Sequence, residues 1–91
     1  MLGGAVGQSM DGSDNAQVNQ ALELNKTNQA TTWTNPNSNT TYTVTPTRTF
    51  SSPTGDPCRD YTVSALANGQ TQQVYATSCR GASGGWHVVS S

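Results

Sequence analysis

Two cysteines placed symmetrically about an Asn-Gly pair constrain the fold of this chain more than any other feature. Asn68-Gly69 is a preferred pair at the centre of a type I′ turn, which joins two antiparallel strands. Counting outward from this turn places Cys58 opposite Cys79, at a non-hydrogen-bonded position where the two Cα atoms lie about 4.5 Å apart. A disulfide can span that distance. The spacing therefore predicts a hairpin of strands 58–67 and 70–79, closed by a Cys58–Cys79 disulfide.

Other uses of the two cysteines fit the sequence poorly. A structural zinc site needs three or four ligands, and only His87 could join the two cysteines. A redox pair is usually Cys-x-x-Cys, and a thiol protease needs a histidine with an orienting partner. A disulfide in a small polar domain predicts an oxidising compartment, such as the periplasm, the cell surface or the exterior.

Length and charge limit the function classes. The chain has 91 residues, of which 10% are charged, and its net charge is −1. This length is typical of one small domain. Four basic residues are too few for a phosphate-binding face, so we expect no nucleic-acid partner.

The hydrophobic pattern predicts an α+β fold, with one N-terminal helix packed on an antiparallel β-meander of about five strands. Residues 11–26 have helical periodicity, and Asp11 is a suitable N-cap. Large side chains then alternate with threonine, which predicts strands near 31–35 and 40–50, and a last strand at 86–89. Pro46 predicts an edge position or a bulge. In the predicted hairpin of strands 58–67 and 70–79, the side chains expected to face the core are Tyr61, Val63, Ala65, Val74 and Ala76.

The first ten residues differ from the rest. They are apolar and rich in glycine, with Gly3 and Gly7 four residues apart, a spacing that lets membrane helices approach closely. They form no intact signal peptide and are too short to span a bilayer. We interpret 1–10 as the end of a glycine-zipper-like segment of a longer protein and 11–91 as a single globular domain. The alternative is an ordinary flexible terminus.

The candidate binding residues are the arginines. Arg48 and Arg59 could form structural ion pairs with Asp56 or Asp60. Alternatively, Arg48, Arg59 and Arg80 could form a small patch for carboxylates of peptidoglycan or phosphates of lipids, or for a protein partner. Both interpretations stay open at this point.

The sequence offers no catalytic residue, no metal site and no cofactor site. His87 is the only histidine, so a general base with its partner is missing. The aromatic side chains could line a binding groove or simply form the core; they are Trp33, Tyr42, Tyr75 and Trp86.

Four motifs in order resemble a known family. They are GGAVGQSMD, WTNPNSNTTYTVTPTRTF, and then CRDY and CR followed by GGWHVV. This pattern resembles the rickettsial-type 17 kDa surface antigens, which are proteobacterial envelope lipoproteins with a glycine zipper and a C-terminal globular domain. The resemblance implies that Cys58-Arg59 and Cys79-Arg80 are the two Cys-Arg motifs of that domain. It also implies attachment to the outer membrane through an upstream lipidated segment, and it brings no enzymatic activity.

The function expected from these observations is that of a non-catalytic envelope domain. It would act by contact with an envelope protein or with peptidoglycan, and the full-length protein could assemble with itself. An alternative is an inhibitor of an envelope-directed hydrolase, such as lysozyme or a protease, with loop 51–57 or 81–85 entering the target's cleft.

Overall fold

A computed structural model describes residues 4–91 as two helices on a five-stranded antiparallel sheet. The strands follow one another in space in the order β1-β2-β3-β4-β5, so the sheet is a meander and the predicted α+β class is confirmed. A short first helix is present in addition to the predicted one. The elements are α1 (Gly4–Ser9), α2 (Gly12–Leu24), β1 (Thr31–Asn35), β2 (Thr40–Ser51), β3 (Pro57–Ala67), β4 (Gln70–Arg80) and β5 (Trp86–Ser90).

The predicted hairpin and its Cys58–Cys79 disulfide are confirmed. Asn68 and Gly69 have φ values of 53° and 75°, as the two central residues of a type I′ turn require. The register continues without a shift to Cys58 opposite Cys79. These cysteines form a disulfide with a Cα–Cα distance of 4.0 Å.

The core lies between α2 and one face of the sheet, which we call the inner face. Helix α2 contributes Val18, Ala21 and Leu22. The strands contribute Tyr42, Val44, Tyr61, Val63, Ala65 and Ala76. All of these side chains are buried. Four of the five residues predicted for the core face of the hairpin are among them, and the fifth, Val74, is partly buried against the core.

A hydrogen-bonded group of polar side chains fixes the start of α2. Asp11 is the N-cap, and Asp11 and Asp14 form a capping box. Asp14 is fully buried. Its carboxylate accepts hydrogen bonds from Trp33 Nε1 at 2.8 Å and Asn35 Nδ2 at 2.8 Å. The helix start is thereby joined to β1.

Helix α2 ends two residues before the predicted end at residue 26. Asn25 is extended, with φ −79° and ψ 143°, and caps the helix. Its side-chain amide donates to Thr31 Oγ1 at 2.6 Å. The competing local bonds of this asparagine end the helix.

Helix α1 covers one end of the inner face. Val6 is buried in the core, and Ser9 Oγ lies 2.7 Å from Tyr42 Oη. The predicted glycine-zipper-like segment 1–10 lies partly outside the described residues, which begin at residue 4. In the part of the chain that is described, no helix is long and apolar enough to cross a membrane.

The other face of the sheet, the outer face, is open to solvent and rich in hydroxyl groups. Threonines face each other across β1 and β2, and their Oγ1 atoms lie 3.0 Å apart in the pairs Thr32–Thr43 and Thr34–Thr41. A bulge between Pro46 and Arg48 interrupts the pairing of β2 with β3. The prediction of an edge position or bulge at Pro46 is thus confirmed.

Candidate functional site

Arg59 is a buried cation at the end of helix α2. Its residue exposure is 6%. Its Nη1 donates to two carbonyl oxygens, Leu22 O at 2.8 Å and Asn25 O at 2.7 Å. Its Nε donates to Thr49 Oγ1 at 3.0 Å. Arg59 therefore satisfies one carbonyl group in the last turn of the helix and the carbonyl group of its C-cap residue.

The charge of Arg59 has no carboxylate partner among the described residues. The negative end of the α2 dipole offsets it in part. Burial lowers the pKa of the Arg59 guanidinium from its usual value. Arg59 thus contributes a positive charge that no carboxylate of the described residues neutralises.

Arg80 and Lys26 lie beside Arg59 in an open groove of about 480 Å³, the basic groove, which Trp86 also lines. Arg80 is the last residue of β4, opposite Trp86 at the start of β5. Its Nε lies 3.2 Å from Glu23 Oε1, and both side chains are half-exposed. Three of the chain's four basic residues thus line one groove, with one carboxylate at its rim.

The indole of Trp86 forms part of the groove wall. Its Nε1–H is buried and has no hydrogen-bond acceptor within the described part of the chain. Such donors are rare in folded proteins. Lys26, Arg59 and Arg80 line the groove with charged N–H donors, which suit a carboxylate or a phosphate.

Arg48 lies on the outer face, away from the basic groove. Its Nε is 2.9 Å from Asp60 Oδ2, and its guanidinium stacks on Phe50 with 4.4 Å between Cζ and the ring centroid. Asp60 also accepts from Thr77 Oγ1 at 2.6 Å. The structure thus brings together two of the three candidate arginines and leaves the third in an ion pair with Asp60, one of the pairings considered from the sequence.

The bulge in β2 explains this separation. Pairing beyond the bulge places Arg48 opposite Asp60 and Thr49 opposite Arg59. Side chains alternate between the two faces of a strand, so Arg48 and Arg59 point in opposite directions. Neither the bulge position nor the fold of α2 onto β3 follows from the spacing of the arginines.

The contributions of Lys26 and Trp86 to the groove were not predicted. Lys26 directly follows the end of α2, and basic residues are favoured there because they complement the helix dipole. That signal was available in the sequence. The position of Trp86 depends on the pairing of β5 with β4, and no short-range pattern reports it.

The described residues contain no group of three or more His, Cys, Asp or Glu side chains that could hold a metal ion. His87 is exposed and lies opposite Cys79 on the outer face. The arrangement can bind an anion, but within residues 4–91 it shows no nucleophile held next to a base.

Comparison with known proteins gives one consistent result. The family described as "17 kDa outer membrane surface antigen" matches residues 20–87. The "17 kDa surface antigen" of Rickettsia bellii (strain RML369-C) is 34% identical over 88 residues, covering 92% of this chain and 55% of the relative.

The proteins of the same name from Rickettsia felis and Rickettsia prowazekii (strain Madrid E) are 36% and 34% identical over 70 residues. Each alignment covers 77% of this chain and 44% of the relative. The chain thus spans about half the length of the curated relatives it matches. No solved structure matches the chain. The chain belongs to the 17 kDa outer membrane surface antigen family.

Proposed function

We propose that this chain is a non-catalytic domain of a cell-envelope surface antigen, and that it contacts an anionic component of the envelope through the basic groove. The gathering of Lys26, Arg59 and Arg80 in one groove carries this proposal. Arg59 is fixed by the helix carbonyls, so it is pre-organised. Arg80 is held only by a half-exposed ion pair with Glu23. Ordering a long side chain such as that of Lys26 or Arg80 on a ligand costs about 0.5–1.5 kcal/mol, and this cost is spared at Arg59.

The ligand chemistry is that of a carboxylate or a phosphate. In a bacterial envelope, the carboxylates of peptidoglycan peptides and the phosphates of anionic lipids supply these groups. Both accept hydrogen bonds from a guanidinium in a bidentate geometry. The groove would recognise the anionic oxygen atoms that both groups share. A binding experiment with peptidoglycan fragments and with lipid vesicles separates the two sources.

The proposed setting is an outer-membrane lipoprotein in an oxidising compartment. The family membership supports the envelope location, and the Cys58–Cys79 disulfide suits an oxidising environment. Attachment would come from a segment upstream of the domain. Fractionation of the full-length protein tests this: recovery in the outer membrane supports the proposal, and recovery in the soluble cytoplasm contradicts it.

A binding titration tests the groove. The probes are soluble muropeptides from purified peptidoglycan and vesicles with or without phosphatidylglycerol, followed by NMR of the domain at low and high salt. We expect shifts at Lys26, Arg80 and Trp86 that weaken as salt screens the charges. Arg80→Gln should weaken binding about fivefold, the effect of losing roughly 1 kcal/mol in one charged hydrogen bond.

Arg48→Gln is the matched control, because Arg48 is also an exposed arginine in one ion pair, but on the opposite face. It should leave binding unchanged. Binding of muropeptides alone would identify carboxylates, and binding of anionic vesicles alone would identify phosphates. Absence of binding to both probes, or an equal effect of the two variants, would overturn the groove as the contact site. Stoichiometric inhibition of lysozyme would instead favour the inhibitor hypothesis.

A further inference from the structure

Strand β4 has an open edge over residues 70–76. Strand β5 pairs with β4 only from Thr77 to Arg80, whereas β3 pairs with β4 along its whole length. From residue 70 to residue 76, no described backbone group pairs with the side of β4 that faces β5. The side chains from Gln70 to Gln73 and that of Tyr75 are exposed.

The turn geometry shows which backbone groups face this edge. The residues flanking a two-residue type I′ turn, Ala67 and Gln70, form a hydrogen-bonded pair. Bonding then alternates along the strand, so Gln70, Gln72, Val74 and Ala76 bond to β3. Thr71, Gln73 and Tyr75 direct their N–H and C=O groups outward. Three donors and three acceptors are therefore presented in a row.

Open edges usually carry features that prevent pairing with another strand, such as lysine, proline or a bulge. The segment QTQQVYA has no charge, no proline and no glycine, and its register with β3 has no shift. The open part of β2, in contrast, has Pro46, a bulge and the charged Arg48. The open part of β2 is thus protected against pairing with another strand, and the open part of β4 is not.

We propose that the open edge of β4 pairs antiparallel with the same edge of a second copy of this chain. A two-fold axis at Gln73 pairs each Gln73 with its counterpart and each Thr71 with Tyr75 of the second copy. These are the residues whose backbone groups face outward, so every donor meets an acceptor. No like charges meet, because the segment is uncharged, and the edge is therefore complementary to itself.

The dimer would form one ten-stranded sheet. The axis is perpendicular to the sheet, so the α2 helices of both copies lie on the same side. Tyr75, whose exposed fraction is 73%, would be covered in part by Thr71 of the second copy. This interface lies apart from the basic groove, and so the inference stands independently of the proposed function.

Charge variants at the axis test the inference. Gln73→Lys and Gln73→Glu each place two like charges directly opposite one another, which disfavours pairing. The dimer dissociation constant of the 91-residue chain is measured by analytical ultracentrifugation up to millimolar concentration. We expect each variant to weaken dimerisation at least tenfold and an equimolar mixture of the two to restore it. Restoration cannot come from misfolding, because both single variants must be folded to form the mixed dimer.

Gln72→Lys is the matched control, since the side chain at position 72 points to the inner face and does not meet its own counterpart. It should weaken dimerisation less than Gln73→Lys does. A wild-type chain that stays monomeric at every concentration would overturn the inference. So would a dimer that Gln73→Lys leaves intact, or a mixture of the two charge variants that stays monomeric.

Discussion

Asp11 shows how a single side chain connects helix capping to acid stability. It accepts hydrogen bonds from Ser13 N at 3.0 Å, Asp14 N at 3.2 Å and Asn35 Nδ2 at 2.9 Å. Bonds from the Ser13 hydroxyl, Asn35 and the Asp14 N–H stabilise the charged carboxylate and lower the pKa of Asp11 from 3.8 to about 2. Because this pKa is lower in the folded state, the ionised carboxylate stabilises the fold above pH 4 and loses that effect as the pH falls towards 2.

The first prediction uses Asp11→Asn, which keeps a good N-cap but cannot ionise. We expect the free energy of unfolding of the variant to be lower than that of the wild type above pH 4. The difference should shrink between pH 4 and pH 2, as the wild-type carboxyl takes up its proton. Urea denaturation at a series of pH values measures this difference. A constant difference from pH 6 to pH 2 would contradict the assigned pKa.

At the scale of elements, the hairpin of β3 and β4 was predictable because all its determinants are local. The Asn-Gly turn sets the register, and the register alone places Cys58 opposite Cys79. The assignment of Tyr61 and Val63 to the core follows from the same alternation. These features depend on residues that are close in the sequence or joined by one turn.

The network of Asp14, Trp33 and Asn35 could not be predicted in this way. Asp14 lies three residues after the predicted N-cap Asp11, but its bonds to β1 depend on the angle at which α2 crosses the sheet. The same holds for Arg59, which reaches the end of α2 from β3. A one-dimensional pattern reports which face a side chain occupies, not which element packs on that face.

The second prediction concerns the cross-link within the hairpin. Its two cysteines are 21 positions apart in the sequence, and closing a loop of this length stabilises the fold by about 3 kcal/mol in the chain-entropy model. The double variant Cys58→Ala/Cys79→Ala should lower the free energy of unfolding by about that amount. Guanidinium denaturation measures the loss. Reduced wild-type protein is the control and should show a similar loss, because it lacks the same cross-link.

At the scale of the whole molecule, stability should decline from the centre of the sheet to its edges. β2 and β3 are central, pair with each other over ten positions and carry the fully buried Val44 and Val63. β5 pairs with β4 at four positions and has exposed residues such as Val89. Local opening therefore costs least at β5.

The third prediction is that native-state hydrogen exchange follows this gradient. Amides of β2 and β3 that bond across the sheet, including those near Val44 and Val63, should exchange by global unfolding. Amides of β5 should exchange faster, by local opening. Exchange rates as a function of denaturant distinguish the two cases, since only global unfolding depends steeply on denaturant. Equal protection of β3 and β5 would show that the sheet opens as one unit.

The position of Arg48 depends on strand pairing that no short sequence pattern reports. Arg59 and Arg80 directly follow the two cysteines, whereas Arg48 lies in a threonine-rich strand. A single bulged position in β2 sends Arg48 to the other face of the sheet. Whether the remaining groove binds an anion stays a prediction, to be decided by the titration.

The single cross-strand disulfide also has a consequence for how the protein matures. Within these 91 residues the two cysteines allow only one pairing with each other, so oxidation cannot join them to a wrong partner inside this domain. The turn at Asn68-Gly69 brings the two thiols together in the hairpin, because its register places Cys58 opposite Cys79. Forming this bridge therefore requires an oxidant to remove two electrons, and the pairing of these two cysteines needs no isomerase to correct it.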